Sequence, residues 1–134
     1  MTYLKREDIT SLNRMLIDSS GGYYNSLNSN LLKPNSFNWL IQYVKEKHFG
    51  IKRLKSVFEV ASAYCFFIIN DHIFNDGNKR TGTATALFFL EKNGYLLKDK
   101  VMDSDLEKLA LSVGSKKSDL KYISQWFKKR TVKK

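Results

Sequence analysis

At 134 residues, 43% of them hydrophobic, the chain can bury a real core without staples, and residues 1–134 read as a single domain. Its single cysteine, Cys65, excludes an intramolecular disulfide, and its longest apolar run, Ala63 to Ile69, falls far short of a membrane span. The net charge of +10 suits acidic partners or nucleic acid, yet the cations are scattered and no helix-turn-helix, zinc or RNA-binding pattern accompanies them, so direct nucleic-acid binding is not expected.

In chain order, the polar start from Thr2 to Asp8 carries no secretory or lipidation signal, and a cytoplasmic location is expected. A first helix starts near Lys5, places Ile9, Leu12, Leu16 and Ile17 on one face, and stops before Gly21-Gly22. A polar loop from Gly21 to Asn35 holds the one proline, Pro34. A second helix is predicted around Phe37 to Lys47, with Trp39, Leu40, Tyr43 and Val44. Lys45 to Lys55 reads as an irregular, basic connection. Ser56 to Asn70 is apolar nearly all round, the mark of a central helix, and Cys65 within it reads as a core residue. A further buried helix ends at the C-cap signal Asn93-Gly94, and two more follow, Asp103 to Val113 and Ser118 to about Lys129. The basic tail from Lys128 to Lys134 reads as frayed and solubilising. The fold class is therefore all-α.

The chemistry concentrates in His72 to Gly82, HIFNDGNKRTG, directly before the Ala- and Leu-rich run Thr83 to Leu90. The first N–H groups of a helix lack partners and carry partial positive charge, so phosphate is their natural guest. Asn78, Lys79 and Arg80 fall in that first turn, and Gly77 lets the backbone approach a ligand. Lys79 and Arg80 add full charges, Arg80 with a two-pronged grip, and the Asn78 amide is a further candidate donor to phosphate. Asp76 beside an anion site would repel it unless a cation lies between them, and Mg²⁺ takes one or two carboxylates plus phosphate oxygens. His72 is the candidate general base for an incoming hydroxyl, and Phe74 the apolar pin of the connecting loop. Taken singly, these residues have plainer readings. Asp76-Gly77 could mark a hairpin, although no period-2 alternation follows, and Asp76 could be a helix N-cap, a metal ligand or partly both. Together they suit phosphoryl or nucleotidyl transfer from a nucleoside triphosphate.

The same residues resemble the Fic/Doc family, and within it the death-on-curing (Doc) toxin branch. The family pattern H-x-F-x-[D/E]-[A/G]-N-[G/K]-R is met by His72, Phe74, Asp76, Gly77, Asn78, Lys79 and Arg80, and the likeness extends over about Ser56 to Tyr95. It implies a compact Fic/Doc-type helical bundle with a central motif loop and helix. Fic enzymes that transfer AMP carry a glycine at the place of Lys79 and a second arginine at the place of Thr83. Doc-type proteins share both departures seen here; they are protein kinases that deliver the γ-phosphate of ATP. The resemblance thus implies ATP as substrate and Mg²⁺ as its metal. It implies a threonine of elongation factor Tu as acceptor, with translation blocked, and a cognate antitoxin as partner. It makes His72 the base, Asp76 the metal ligand, and Gly77, Asn78, Lys79 and Arg80 the phosphate site. A flap over the active site, able to hold a target segment, is implied at Lys45 to Lys55. Some Fic proteins inhibit themselves through an [S/T]-x-x-x-E-[G/N] helix; no match occurs here, so restraint is expected from another chain. The rival readings are an AMP-transferring enzyme, disfavoured by Lys79 and Thr83, and a non-catalytic binding module, which would not need a base and a metal ligand together.

Overall fold

The computed structural model describes residues 1–134. Six helices carry the fold: α1 (Arg6–Ser20), α2 (Pro34–Tyr43), α3 (Val57–Asn70), α4 (Asn78–Lys92), α5 (Asp103–Gly114) and α6 (Leu120–Arg130). One 3-10 turn, Ser26–Asn28, lies in the loop after α1. Helix α3 is the hub, and α4, α6, α5 and α2 all pack on it. Its mostly apolar circumference is the reason, and the Ser56 hydroxyl caps its start by accepting from the Glu59 N–H at 3.1 Å. One hydrophobic cluster of 26 buried residues runs from Leu4 to Phe127. Cys65 is fully buried in it, and desolvation pushes its thiol up to about 12.

The fold is predominantly helical, as expected, and two small antiparallel pairs accompany the helices. In the first, β1 (Lys47–His48) pairs with β2 (Ile51–Lys52). The turn between them has positive φ at both Phe49 (51°) and Gly50 (78°), the geometry of a two-residue hairpin. The segment read as irregular because only Gly50 is a usual residue for such a turn. In the second pair, β3 (Tyr95–Leu97) aligns Leu96 with Val132 and Leu97 with Thr131 of β4 (Thr131–Lys133). The C-terminal tail is therefore not frayed. Thr131 is buried and donates its hydroxyl to the Phe127 carbonyl at 2.9 Å, and the Lys134 N–H reaches the Gly94 carbonyl at 2.8 Å. Lys128, Lys129 and Arg130 belong to the last turn of α6, where cations favour the helix dipole. Helix α2 also starts earlier than predicted, with Pro34 as its first residue, a position that needs no proline N–H.

One close approach sets up the site. A Cβ on Gly82 would lie 2.7 Å from Ile69 Cγ1 and 3.0 Å from the Cys65 carbonyl oxygen. Only glycine lets α4 come this near α3. The start of α4 consequently lies beside the end of α3, which brings residues 78–80 next to residue 72.

Candidate active site

Between α3 and α4 the chain reverses within seven residues, 71–77, and each turn of that loop has a local cause. Asp71 ends α3, and His72 adopts a left-handed φ of 50°, uncommon for a non-glycine residue. Phe74 then plunges into the core with no exposed surface and packs against Phe37, ring centroids 5.9 Å apart. The Phe74 N–H donates to Asn78 Oδ1 at 2.9 Å, and its carbonyl accepts from Asn78 Nδ2 at 2.8 Å. Across the loop, the Leu32 N–H reaches the Ile73 carbonyl at 2.8 Å and the Asn75 N–H reaches the Asn30 carbonyl at 2.8 Å. Gly77, with φ 76°, is the N-cap of α4.

The Asn78 side chain is thus occupied at both ends by Phe74, and holds the loop. Its backbone N–H remains at the open start of α4, together with those of Lys79 and Arg80. Asp76 stands one residue before the N-cap, Gly77. Its Oδ2 accepts from the Tyr23 N–H at 2.9 Å and its Oδ1 from the Gly77 N–H at 2.8 Å. These two bonds hold the carboxyl below its usual value of 3.8, with the nearby Arg80 charge acting in the same direction and slight burial opposing.

His72 is exposed, and its Nδ1 lies 3.0 Å from the Ile69 carbonyl oxygen. A carbonyl only accepts, so Nδ1 carries the hydrogen, and in the neutral ring Nε2 keeps a free lone pair. Arg80 reaches back to the end of α1, with Nη2 3.2 Å from the Gly21 carbonyl and Nη1 3.5 Å from that of Leu16. The last turn of α1 has no basic residue of its own, so Arg80 supplies the cation its dipole favours. Both contacts are long enough for the guanidinium to be held without being locked. Lys79 is exposed, and its chain crosses Gly114 at the end of α5, where a Cβ would lie 3.0 Å from Lys79 Cε. Thr83 is buried, its hydroxyl turned to the Lys79 and Arg80 carbonyls at 3.3 and 3.2 Å.

His72, Asp76, Gly77, Asn78, Lys79 and Arg80 line one cleft of about 300 Å³; Phe74 lies beneath it. Lys79 and Arg80 also border a second, more apolar hollow of about 630 Å³ between α4 and α5. The first cleft can take a proton at His72 Nε2 and hold anionic oxygens on α4 N–H groups and two cations. No group of three or more His, Cys, Asp and Glu side chains forms a metal site of its own. Asp76 is the one carboxylate in the cleft, a donor set that fits Mg²⁺ arriving on nucleotide phosphates.

Sequence reasoning missed the residues that hold the motif from outside. Asn13 on α1 is fully buried, and its Nδ2 donates to the Asp76 carbonyl at 2.9 Å and to Thr81 Oγ1 at 3.0 Å. Asn30 Nδ2 in turn donates to Asn13 Oδ1 at 3.0 Å. A signal existed, because Asn13 sits between Ile9 and Ile17 on the apolar stripe of α1. Gly22 read only as a helix stop, yet a Cβ there would fall 2.8 Å from Asp76 Oδ2.

No helix is long and apolar enough to cross a membrane. The model of the Fic/DOC family matches residues 3–90. The protein named "Protein kinase doc" of Escherichia phage P1 is 29% identical over 106 residues, covering 79% of this chain and 79% of that protein. This chain belongs to the Fic/DOC family, on its Doc branch.

Proposed function

We propose that the protein is a Doc-type toxin kinase that moves the γ-phosphate of ATP to a hydroxyl of another protein. Similarity to a relative named a protein kinase supports phosphate transfer as the reaction class. The observation that carries the choice of γ- over α-transfer is the pair Lys79 and Thr83. A long cation stands at the place of the glycine of AMP-transferring relatives, and a buried, inward-bonded hydroxyl at the place of their second arginine.

In this reading His72 Nε2 accepts the proton of the acceptor hydroxyl as its oxygen bonds to the γ-phosphorus. The bond from that phosphorus to the β,γ-bridging oxygen breaks, and ADP leaves with the electron pair. Lys79, Arg80 and the α4 N–H groups hold the phosphate oxygens, so positioning and charge stabilisation do most of the catalysis. Asp76 would hold Mg²⁺, which neutralises phosphate charge when bound. The acceptor we propose is elongation factor Tu, whose modification would block translation in the cytoplasm. A cognate antitoxin would restrain the enzyme, and its acidic groups would suit the +10 chain.

The test uses bacterial lysate, Mg²⁺ and ATP labelled at the α- or the γ-phosphate, with His72→Ala in parallel. Label passing only from the γ-position to a band at elongation factor Tu is the expected result. His72→Ala should lower that rate by about 10²–10⁴. Label from the α-position would establish AMP transfer instead, and a fully active His72→Ala would remove His72 as the base.

A further inference from the structure

Asp76 is held from outside the motif at both its backbone and its carboxylate. Its peptide carbonyl is held by Asn13 from α1 at 2.9 Å, and its carboxylate by the Tyr23 N–H from the turn after α1 at 2.9 Å. Asn13 and Asp76 are 63 positions apart in the chain, and Tyr23 and Asp76 are 53 apart. Next door, the Asn75 N–H is held by the Asn30 carbonyl at 2.8 Å, and Asn30 is tied to Asn13.

Asn13 is a costly way to fill its position. It lies fully buried on the stripe of α1 formed with Ile9 and Ile17, where an aliphatic side chain would pack without desolvating an amide. All the same its polar atoms are matched, Nδ2 by Asp76 and Thr81 and Oδ1 by Asn30. A fully satisfied buried network fixes one geometry where an apolar contact tolerates several. Gly22 contributes from the other side. Its φ of +128° and the 2.8 Å that a Cβ would leave to Asp76 Oδ2 mean that only glycine lets the turn close on the carboxylate.

We infer that Asn13 and the Gly22–Tyr23 turn are positioning residues that orient the Asp76 carboxylate for the metal-bearing nucleotide. The inference rests on the MgATP-dependent reading above. Mg²⁺ accepts little deviation from octahedral coordination, so a ligand carboxylate must be held by its neighbours. Partners that orient a metal ligand typically contribute about 10–100-fold to metal affinity or activity. Each carboxylate oxygen of Asp76 accepts a single N–H and keeps further lone-pair capacity for a cation.

The experiment compares the full chain with Asn13→Ala, Gly22→Ala and Thr81→Val, by calorimetric titration with MgATP and with ATP in EDTA, alongside melting curves. Asn13→Ala and Gly22→Ala should weaken MgATP binding by about 10–100-fold and leave ATP in EDTA at wild-type affinity. Thr81→Val removes one acceptor of Asn13 but not the Asp76 contact, so its MgATP affinity should equal wild type. A merely structural network would instead lower melting temperatures and weaken both forms of ATP together, which would overturn the inference. Folded Asn13→Ala and Gly22→Ala chains that bind MgATP as wild type does would overturn it too. Should Asn13→Ala fail to fold, Gly22→Ala, in an exposed turn, decides alone. A wild-type chain that makes no distinction between MgATP and ATP in EDTA would remove the proposed function itself, and the inference with it.

Discussion

Replacing Asn78 by alanine separates two accounts of the same motif residue. As a phosphate ligand, Asn78 would matter for nucleotide affinity and hardly at all for stability. Its amide, however, is the internal partner of both polar backbone groups of Phe74, at 2.9 and 2.8 Å, and Phe74 itself has no exposed surface. Alanine leaves that N–H and that carbonyl unmatched, and each buried unsatisfied group costs about 1–3 kcal/mol. Partial access of water at the half-buried Asn78 brings the sum to about 2–4 kcal/mol. With an m-value of about 1–2 kcal/mol per molar in urea, Cm should fall by roughly 1–4 M with m unchanged. The assay is equilibrium urea unfolding of both chains, followed by circular dichroism. A Cm within about 0.2 M of wild type, with ATP affinity nevertheless lost, would refute the clamp and restore Asn78 as a phosphate ligand.

Gly82→Ala would drive a Cβ to 2.7 Å from Ile69 Cγ1 and 3.0 Å from a backbone oxygen, so α3 and α4 must separate. Overpacking of this kind costs about 1–3 kcal/mol, readable in thermal melts; an unchanged melting temperature would show that the helices give way freely. Deleting residues 131–134 removes strand β4 and the buried Thr131, and should lower the melting temperature and expose Tyr95–Leu97 to protease. A truncated chain as stable as the full one would mean that the tail adds nothing. For Asp76 the sign follows from its lowered pKa. The carboxylate's bonds contribute stability above the ordinary value of 3.8, and that contribution is lost as pH falls through the lowered folded value. Wild type should therefore exceed Asp76→Asn in stability at pH 7 and converge with it in strong acid. A gap that persists unchanged at pH 2 would assign it to something other than ionisation.

The sequence by itself determined the helices and the composition of the cleft. Helical periodicity and caps are local, so Ser56 as the cap of α3 and the six helices could be read directly. The motif was legible for the same reason. His72, Asp76 and Asn78 to Arg80 are neighbours along the chain, so one short loop and one helix start carry all of them, while the close approach of α4 to α3 at Gly82 folds them into one cleft. Boundaries set by an unusual residue were less legible, as at Phe49, which takes a left-handed turn position in spite of its side chain. Only the tertiary structure decided how the site is held. Asn13, Asn30 and Gly22 act on Asp76 and Asn75 across long stretches of chain, and β4 finds β3 more than thirty residues away. Such hydrogen bonds depend on which backbone groups the packed helices bring into reach, and no periodicity records that. The same holds for Asn78, whose side chain meets Phe74 because the buried ring fixes the loop beneath the cleft.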